Sequence, residues 1–363
     1  MHVTVLQENF LPKLTAVARV ASAKSALPVL ENIYLSAEKG VLQLMATDLE
    51  TGVKARVGAK VEAEGATTVP ARVLVSLIGN FPPGKITLKA EKDILTVTAQ
   101  GMTLKMNGLP ATEFPALAEA GKPSFTIEAK ELKEAINQVS FAAAQDESRP
   151  ILTGILLKLS GGTLTLAGVD GFRLGEKKLK IAGEELAAVV PARSLIEAAR
   201  LMEGEVEVGS SAEGQIFLNS PDFLVLAQKL EGEFPEYDQI IPANFETTIT
   251  FSKEDLVKAV QLTSVFSESG MSIVACSFDP AKKSLEVSSQ EVQLGEARVE
   301  VPIGGEGKKG MIAFNSRYIS DALNALLGEE VALSLNSNLD PALFTSPGDK
   351  NYRHVIMPVR LQE

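Results

Sequence analysis

Val69-Pro70-Ala71-Arg72 returns as Val190-Pro191-Ala192-Arg193, 121 positions further along the chain (190 − 69). Three other matches keep almost the same spacing. Pro28 in Leu27-Pro28-Val29-Leu30 corresponds to Pro150 in Arg149-Pro150-Ile151-Leu152, and Asp48 in Ala46-Thr47-Asp48 to Asp170 in Gly168-Val169-Asp170, each at 122. Glu113-Phe114-Pro115 recurs as Glu233-Phe234-Pro235 at 120. A constant offset over four separate motifs reads as a duplication, and a period near 120 residues is a domain repeat, too long for a solenoid unit. A third, more diverged copy follows in the same order. Ala313-Phe314-Asn315-Ser316 stands where the Val-Pro-Ala-Arg tetrads stand and leads into a helical run over residues 318–327. Met357-Pro358 stands where Phe234-Pro235 stands, and the 363 residues divide into three copies of 121.

Each copy opens as a strand, a short polar turn and a helix, over residues 3–17, 125–139 and 249–263. Ser252 and Asp255 form a capping box ahead of Leu256, Ala259 and Val260. Leu132, Ile136 and Val139 share one helical face, as do Phe10, Leu14 and Val17. Much of the remainder alternates with period two, as in Gly162-Thr-Leu-Thr-Leu-Ala167, which predicts half-buried strands in antiparallel sheets. The expected fold is therefore α+β: three repeated domains at 1–119, 124–243 and 244–363, each with antiparallel sheets and two helices on one face. Linkers are expected at 118–123 and 242–246.

With 45% apolar and 22% charged residues the chain should fold as a globular protein rather than stay disordered. No stretch approaches the roughly 18 uninterrupted apolar residues of a membrane span, and the first residues lack the basic start and apolar run of a secretory signal. The lone cysteine, Cys276, excludes an internal disulfide, fits a reducing compartment and, among Ile273, Val274, Ala275 and Phe278, reads as a core thiol. A cytoplasmic location is expected. The net charge of −11 is an average and leaves room for a basic face.

Little in the chain suggests catalysis. His2 and His354 are the only histidines and stand at opposite ends, so a His-based triad or zinc cluster is not expected. Gly305, Gly307 and Gly310 form a Gly-x-Gly-x-x-Gly, but Met311-Ile-Ala-Phe314 after it reads as a strand. The helix of a dinucleotide site is missing, and a hairpin loop is expected. Asp48 with Glu50, and Asp146 with Glu147, read as surface carboxylates among 46 acids rather than as acid–base pairs. No catalytic residue, metal or cofactor is expected, and the chain reads as a binding protein.

Asp170-Gly171 reads as a tight hairpin turn that could present Arg173 and Leu174 at a pocket rim. The C-terminal run His354-Val-Ile-Met-Pro-Val-Arg-Leu361 reads as a last edge strand, with Pro358 where an edge tolerates it and Met357 suited to an adaptable peptide groove. Basic residues recur at helical positions: Lys13 and Arg19, Lys130 and Lys133, Lys253 and Lys258, then Arg72, Arg193, Arg200 and Arg317 in the second helix of each copy. A solvated helix face is the default for any one of them, diluted as they are by Glu131, Glu134 and Glu254. Recurrence in all three copies is what favours DNA.

Leu27-Pro-Val-Leu30, Thr47-Asp48-Leu49-Glu50, Ser148-Arg-Pro-Ile-Leu-Thr-Gly154, Val169-Asp-Gly-Phe-Arg-Leu174, Glu233-Phe-Pro-Glu-Tyr237 and Met357-Pro-Val-Arg-Leu361 occur in one order and spacing. Together they resemble the bacterial DNA polymerase III beta subunit, the DNA sliding clamp, over essentially the whole chain. The resemblance implies a head-to-tail homodimer closing into a ring around duplex DNA, with helices lining the hole and sheets outside. DNA would be held without regard to sequence, through phosphate attraction. The resemblance also implies a pocket for short peptides of polymerases and the clamp loader, formed by Leu152, Val169, Gly171, Phe172, Arg173, Leu174, Pro235, Gln239, Ile240, Val355, Met357, Pro358, Val359, Arg360 and Leu361. Lys24, Gln145 and Arg149 match loop positions that touch DNA in the family. Leu104 and Met106, against Val265 and Phe266 of a second subunit, match its dimer interface.

Two positions depart from the family pattern: Phe172 where histidine is usual, and Gln239 where arginine is frequent. They imply a more apolar rim with one cation fewer. Gln362 and Glu363 extend past Leu361 towards the pocket mouth. The competing readings are an enzyme on a duplicated scaffold, which would need clustered buried carboxylates or a metal, and an interaction protein unrelated to DNA.

Overall fold

A computed structural model describes residues 1–21, 27–146, 148–266, 272–291 and 295–360. The first repeat runs β1 (His2–Leu6), α1 (Gln7–Ala18), β2 (Asn32–Glu38), β3 (Val41–Thr47), β4 (Thr51–Gly58), β5 (Lys60–Ala63), β6 (Gly65–Pro70), α2 (Ala71–Gly79), β7 (Lys85–Glu91), β8 (Ile94–Ala99) and β9 (Met102–Asn107). The second runs β10 (Pro123–Glu128), α3 (Ala129–Val139), β11 (Gly154–Ser160), β12 (Thr163–Val169), β13 (Arg173–Lys180), β14 (Leu186–Pro191), α4 (Ala192–Leu201), β15 (Glu205–Ser210), β16 (Ile216–Asn219) and β17 (Phe223–Ala227). The third runs β18 (Thr247–Ser252), α5 (Lys253–Ser264), β19 (Ile273–Asp279), β20 (Ser284–Glu291), β21 (Gly295–Glu306), β22 (Gly310–Asn315), α6 (Ser316–Ala325), β23 (Glu330–Leu335), β24 (Ala342–Ser346) and β25 (Asp349–Ile356).

The opening strand of each repeat passes straight into its helix, without the expected intervening turn. In the third, the Ser252 hydroxyl accepts from Asp255 N at 3.4 Å, the cap read from sequence. The repeated tetrad also has a physical reason. Pro70 ends β6 and Pro191 ends β14, and each strand is the outermost of its sheet, where a residue without an N–H breaks no ladder. In the third copy Asn315 ends the outermost β22 and caps α6 instead, accepting from Arg317 N.

Residues 1–133 with 193–229 form one compact unit, and 134–192 with 230–363 a second. The first contains a five-stranded sheet, β5-β1-β7-β8-β9, and an eight-stranded one, β10-β15-β16-β17-β4-β3-β2-β6. Pairing of β17 with β4 joins the second repeat to the first here. Buried Lys54 on β4 secures the segment that follows β9 through Glu119 (2.6 Å) and the Leu117 carbonyl (3.1 Å).

The second unit carries a twelve-stranded sheet, β14-β11-β12-β13-β25-β24-β23-β18-β21-β20-β19-β22. Helix residues Gln138 and Val139 lie hard against it. A Cβ on Gly168 would stand 2.5 Å from the Val139 carbonyl oxygen, and one on Gly175 3.1 Å from that of Gln138, so this approach needs glycine on both strands. Two expectations are corrected. The Gly305–Gly310 stretch links β21 to β22, which do not pair: β21 pairs with β18 and β20, and β22 with β19. The C-terminal strand β25 is interior, between β13 and β24, and ends at Ile356 before Pro358 could interrupt a ladder.

Candidate functional site

Alternation along β12, β13, β25 and β24 sorts the residues around the Asp170-Gly171 turn into two faces. Val169, Leu174, Val355 and Leu343 lie in register across the four strands. They form an apolar row that Phe234, Tyr237 and Ile241 cover from the segment after β17. That segment makes one 3-10 turn, Tyr237–Ile240. At the hairpin tip Asp170 Oδ1 accepts from Phe172 N and Arg173 N, Gly171 takes φ +93°, and Phe172 projects with 60% exposure. Met357 N donates to the Phe172 carbonyl of the hairpin and Val359 N to that of Ala313 on β22, both at 2.8 Å, so the residues after β25 are pinned to both. Met357, Pro358 and Val359 are half-buried, and Ile240 and Arg360 are exposed.

Arg173 lies on the opposite, helix-facing side and is buried. Its guanidinium pairs with Asp170 (2.9 Å) and Asp321 of α6 (2.6 Å), and packs over the rings of Tyr318 (4.4 Å) and Phe141 (5.4 Å). It is thus a clamped structural cation rather than a rim group. Along the same face, Lys177 pairs with Asp349 at 2.7 Å. Burial pushes the Asp349 carboxyl up, but hydrogen bonds from Lys177 and Gln138 outweigh it and hold it below its ordinary value. His354 is fully buried, with Nδ1 3.2 Å from the Tyr352 hydroxyl; burial first, then the Arg173 charge, pushes its pKa down to about 3.

Of the other expected pocket residues, Leu152 is buried in the 3-10 turn Pro150–Thr153. Gln239 donates to Glu236 at 2.7 Å. Pro235 and Gln239 also border a cavity of about 610 Å³ between the 234–239 segment and a polar row, Ala187, Lys158, Thr165 and Lys178; no other expected residue does. Leu361, Gln362 and Glu363 lie outside the described residues, as do Lys24 and Glu147.

The helical cations divide into two groups. Lys13 pairs with Asp222 (2.5 Å), Arg19 and Arg200 with Glu197 (2.7 and 3.2 Å), and Lys258 with Glu254 (2.5 Å), while Lys253 donates to the Leu326 carbonyl. Lys130, Lys133, Gln145, Arg149 and Arg317 are exposed, and Arg193 remains open to solvent 4.0 Å from Asp48. Exposed Arg72 instead borders a hollow of about 550 Å³ with Val73, Leu77, Phe81, Met102 and Leu104. Leu104 and Met106 belong to β9, the outermost strand of its sheet. In the other unit Val265 is exposed, Phe266 is half-buried, and residues 295–302 of β21 pair on one side only among the described residues.

Among the described residues no group of three or more His, Cys, Asp or Glu could hold a metal ion, and no helix is long and apolar enough to cross a membrane. Cys276 is buried, which pushes its thiol up to about 12.

Two strand-and-helix modules per repeat, triplicated, are the architecture of a DNA clamp. Models of the DNA polymerase III beta subunit match along the chain: the N-terminal domain at residues 1–118, the central domain at 126–236 and the C-terminal domain at 238–360. The beta sliding clamp of a Synechocystis species is 32% identical over 99% of this chain and all of that protein. The Pseudomonas aeruginosa sliding clamp, solved bound to griselimycin, is 30% identical with a TM-score of 0.93, covering 99% of this chain and 100% of that one. The Bacillus subtilis clamp, at 24% identity, has the same fold, with a TM-score of 0.95 over the whole of both chains. The chain belongs to the DNA polymerase III beta-subunit family, the beta sliding clamps, and its function is that of a non-catalytic processivity factor.

Proposed function

We propose that two copies of this chain close head to tail into a ring around duplex DNA and tether polymerases and the clamp loader through short peptides, in the bacterial cytoplasm at the nucleoid. The domains are 1–119, 124–243 and 244–363, with helices towards the DNA and sheets outside. Each chain offers two different open strand edges, β9 with Met102 and Leu104 and the 295–302 part of β21 near Val265. Joining unlike edges is a heterologous contact, and two such contacts related by a two-fold rotation close a ring. Lys105 on β9 and Glu296 and Glu300 on β21 add charge of opposite sign. Exposed Arg193, Arg317, Arg149 and Gln145 supply sequence-independent contacts. With the net charge at −11, topology rather than affinity holds the ring on DNA.

The observation that carries the peptide reading is the accessible apolar group of exposed Phe172 and Ile240 and half-buried Met357, Pro358 and Val359, bordering the buried row Val169, Leu174 and Val355. Such a patch beside a rigid hairpin suits the apolar anchors of an extended peptide. Fluorescence polarisation of a labelled Gln-Leu-x-Leu-Phe peptide tests it. Binding in the micromolar range, roughly −8 kcal/mol, lost in Met357→Arg, is expected. Equal binding by the variant would refute this pocket.

A further inference from the structure

Glu176 is a carboxylate with a side chain only 1% exposed, in the middle of the sheet face that bears the apolar row. It lies in register between Ala167 of β12 and Arg353 of β25. A lone buried charge there would be strongly unfavourable, and three groups satisfy it. Arg353 donates to Oε2 through Nε at 2.6 Å and also reaches it through its terminal nitrogen. Lys178 stands 3.0 Å from Oε1, and the Tyr237 hydroxyl donates to the same oxygen at 3.0 Å. Burial, then the Glu176 charge, pushes the Tyr237 hydroxyl well above its ordinary value, so it stays a proton donor.

Tyr237 begins the 3-10 turn that carries Gln239 and Ile240, two residues after Pro235. Within the turn the groups hold one another: Tyr237 N donates to the Pro235 carbonyl and Gln239 to Glu236. Towards the sheet, the polar ties run through Glu176 and Arg353, which also stands 3.5 Å from Asp238. The 234–239 segment also borders the cavity of about 610 Å³, while Phe234 packs against the apolar row and the Tyr237 ring. One buried carboxylate is thus a polar anchor of this short turn on the sheet, beside the apolar packing of Phe234, Tyr237 and Ile241.

We propose that Glu176, acting through Tyr237, is a positioning residue of the peptide pocket: it fixes the wall made by Pro235, Gln239 and Ile240. This rests on the peptide reading above. Tyr237→Phe keeps the ring against Phe234 and the apolar row and removes only the tie. Glu176→Gln keeps an acceptor for Tyr237 but drops both ion pairs. The experiment measures hydrogen exchange of the 237–240 amides and binding of the Gln-Leu-x-Leu-Phe peptide in wild type, both variants and the double variant.

Faster exchange confined to 237–240, affinity lower by about three- to tenfold, and a double variant no weaker than the weaker single one are expected. A merely structural contribution would move the global unfolding midpoint instead. Faster exchange with affinity within twofold of wild type would overturn the role of Glu176 while leaving the pocket intact. Wild-type protein that binds no peptide would overturn the pocket reading and this one with it.

Discussion

Replacing Arg173 by alanine should destabilise the second unit heavily, because this buried cation is clamped between Asp170 and Asp321. The side chain is 5% exposed and its two carboxylate partners, Asp170 and Asp321, are 12% and 27% exposed. Breaking a buried pair costs about 3–5 kcal/mol because the remaining charges are left without a partner. Here the partial exposure of Asp321 lets water compensate in part, which favours the lower end. Loss of packing against Tyr318 and Phe141 adds on the order of 1 kcal/mol. A total of about 3–4 kcal/mol follows, which at roughly 2–4 °C per kcal/mol for a unit of this size lowers its melting transition by about 6–16 °C. Urea unfolding followed by hydrogen exchange on 134–192 and 230–360 separates this unit from the other. Arg173→Lys keeps the charge but cannot fork between two carboxylates or stack flat, so it should fall in between. A change below about 1 kcal/mol for Arg173→Ala would refute the argument, since only an exposed, screened pair behaves that way.

Phe172→His and Gln239→Arg should each change the ranking of a panel of clamp-binding peptides, the second in favour of acidic flanks; unchanged affinities would remove these positions as specificity determinants. His354 is held neutral in the folded state with a pKa near 3 against the usual 6.5. The unfolded state therefore takes up the extra proton as pH falls below 6.5, and stability drops by up to about 1.4 kcal/mol per pH unit down towards pH 3. A His354→Phe variant should show a shallower acid limb in its unfolding midpoint, and parallel limbs would count against the assignment. Leu104→Asp, on the open edge of β9, should shift sedimentation from dimer to monomer at micromolar concentration without altering the circular dichroism spectrum. A dimer as stable as wild type would rule that edge out of the interface.

The repeat, the six helices and the strands entering them were legible in the sequence because each depends on local chemistry: a cap at Ser252, a proline closing an outer strand, apolar residues at helical spacing. Pairing between distant strands leaves no such local mark. Nothing near residue 350 announces that β25 inserts between β13 and β24, so an outer strand was the natural expectation from Pro358. Arg173 is instructive in another way. Its neighbour Leu174 necessarily points to the other face of β13, and strict alternation alone would have separated the two. The Glu176, Tyr237 and Arg353 cluster joins residues 61 and 177 positions apart. The available hint was Glu176 on the same strand face as Leu174, Lys178 and Lys180, a charge that demands partners without saying which distant ones it finds.

The pairing of β4 with β17 has a consequence for the order in which the molecule can be made. Phe223 lies opposite Ala55, so 168 residues (223 − 55) must be polymerised before the far edge of β4 finds its neighbour. At roughly 5–20 residues per second a bacterial ribosome needs about 8–34 s for that interval. Through all of it the nascent first repeat carries a finished β3-β4 hairpin with one bare flank, and β13 waits similarly for β25. Each later repeat thus arrives as the closing piece for an earlier one, and truncation near residue 220 should leave not a smaller clamp but a sticky ribbon.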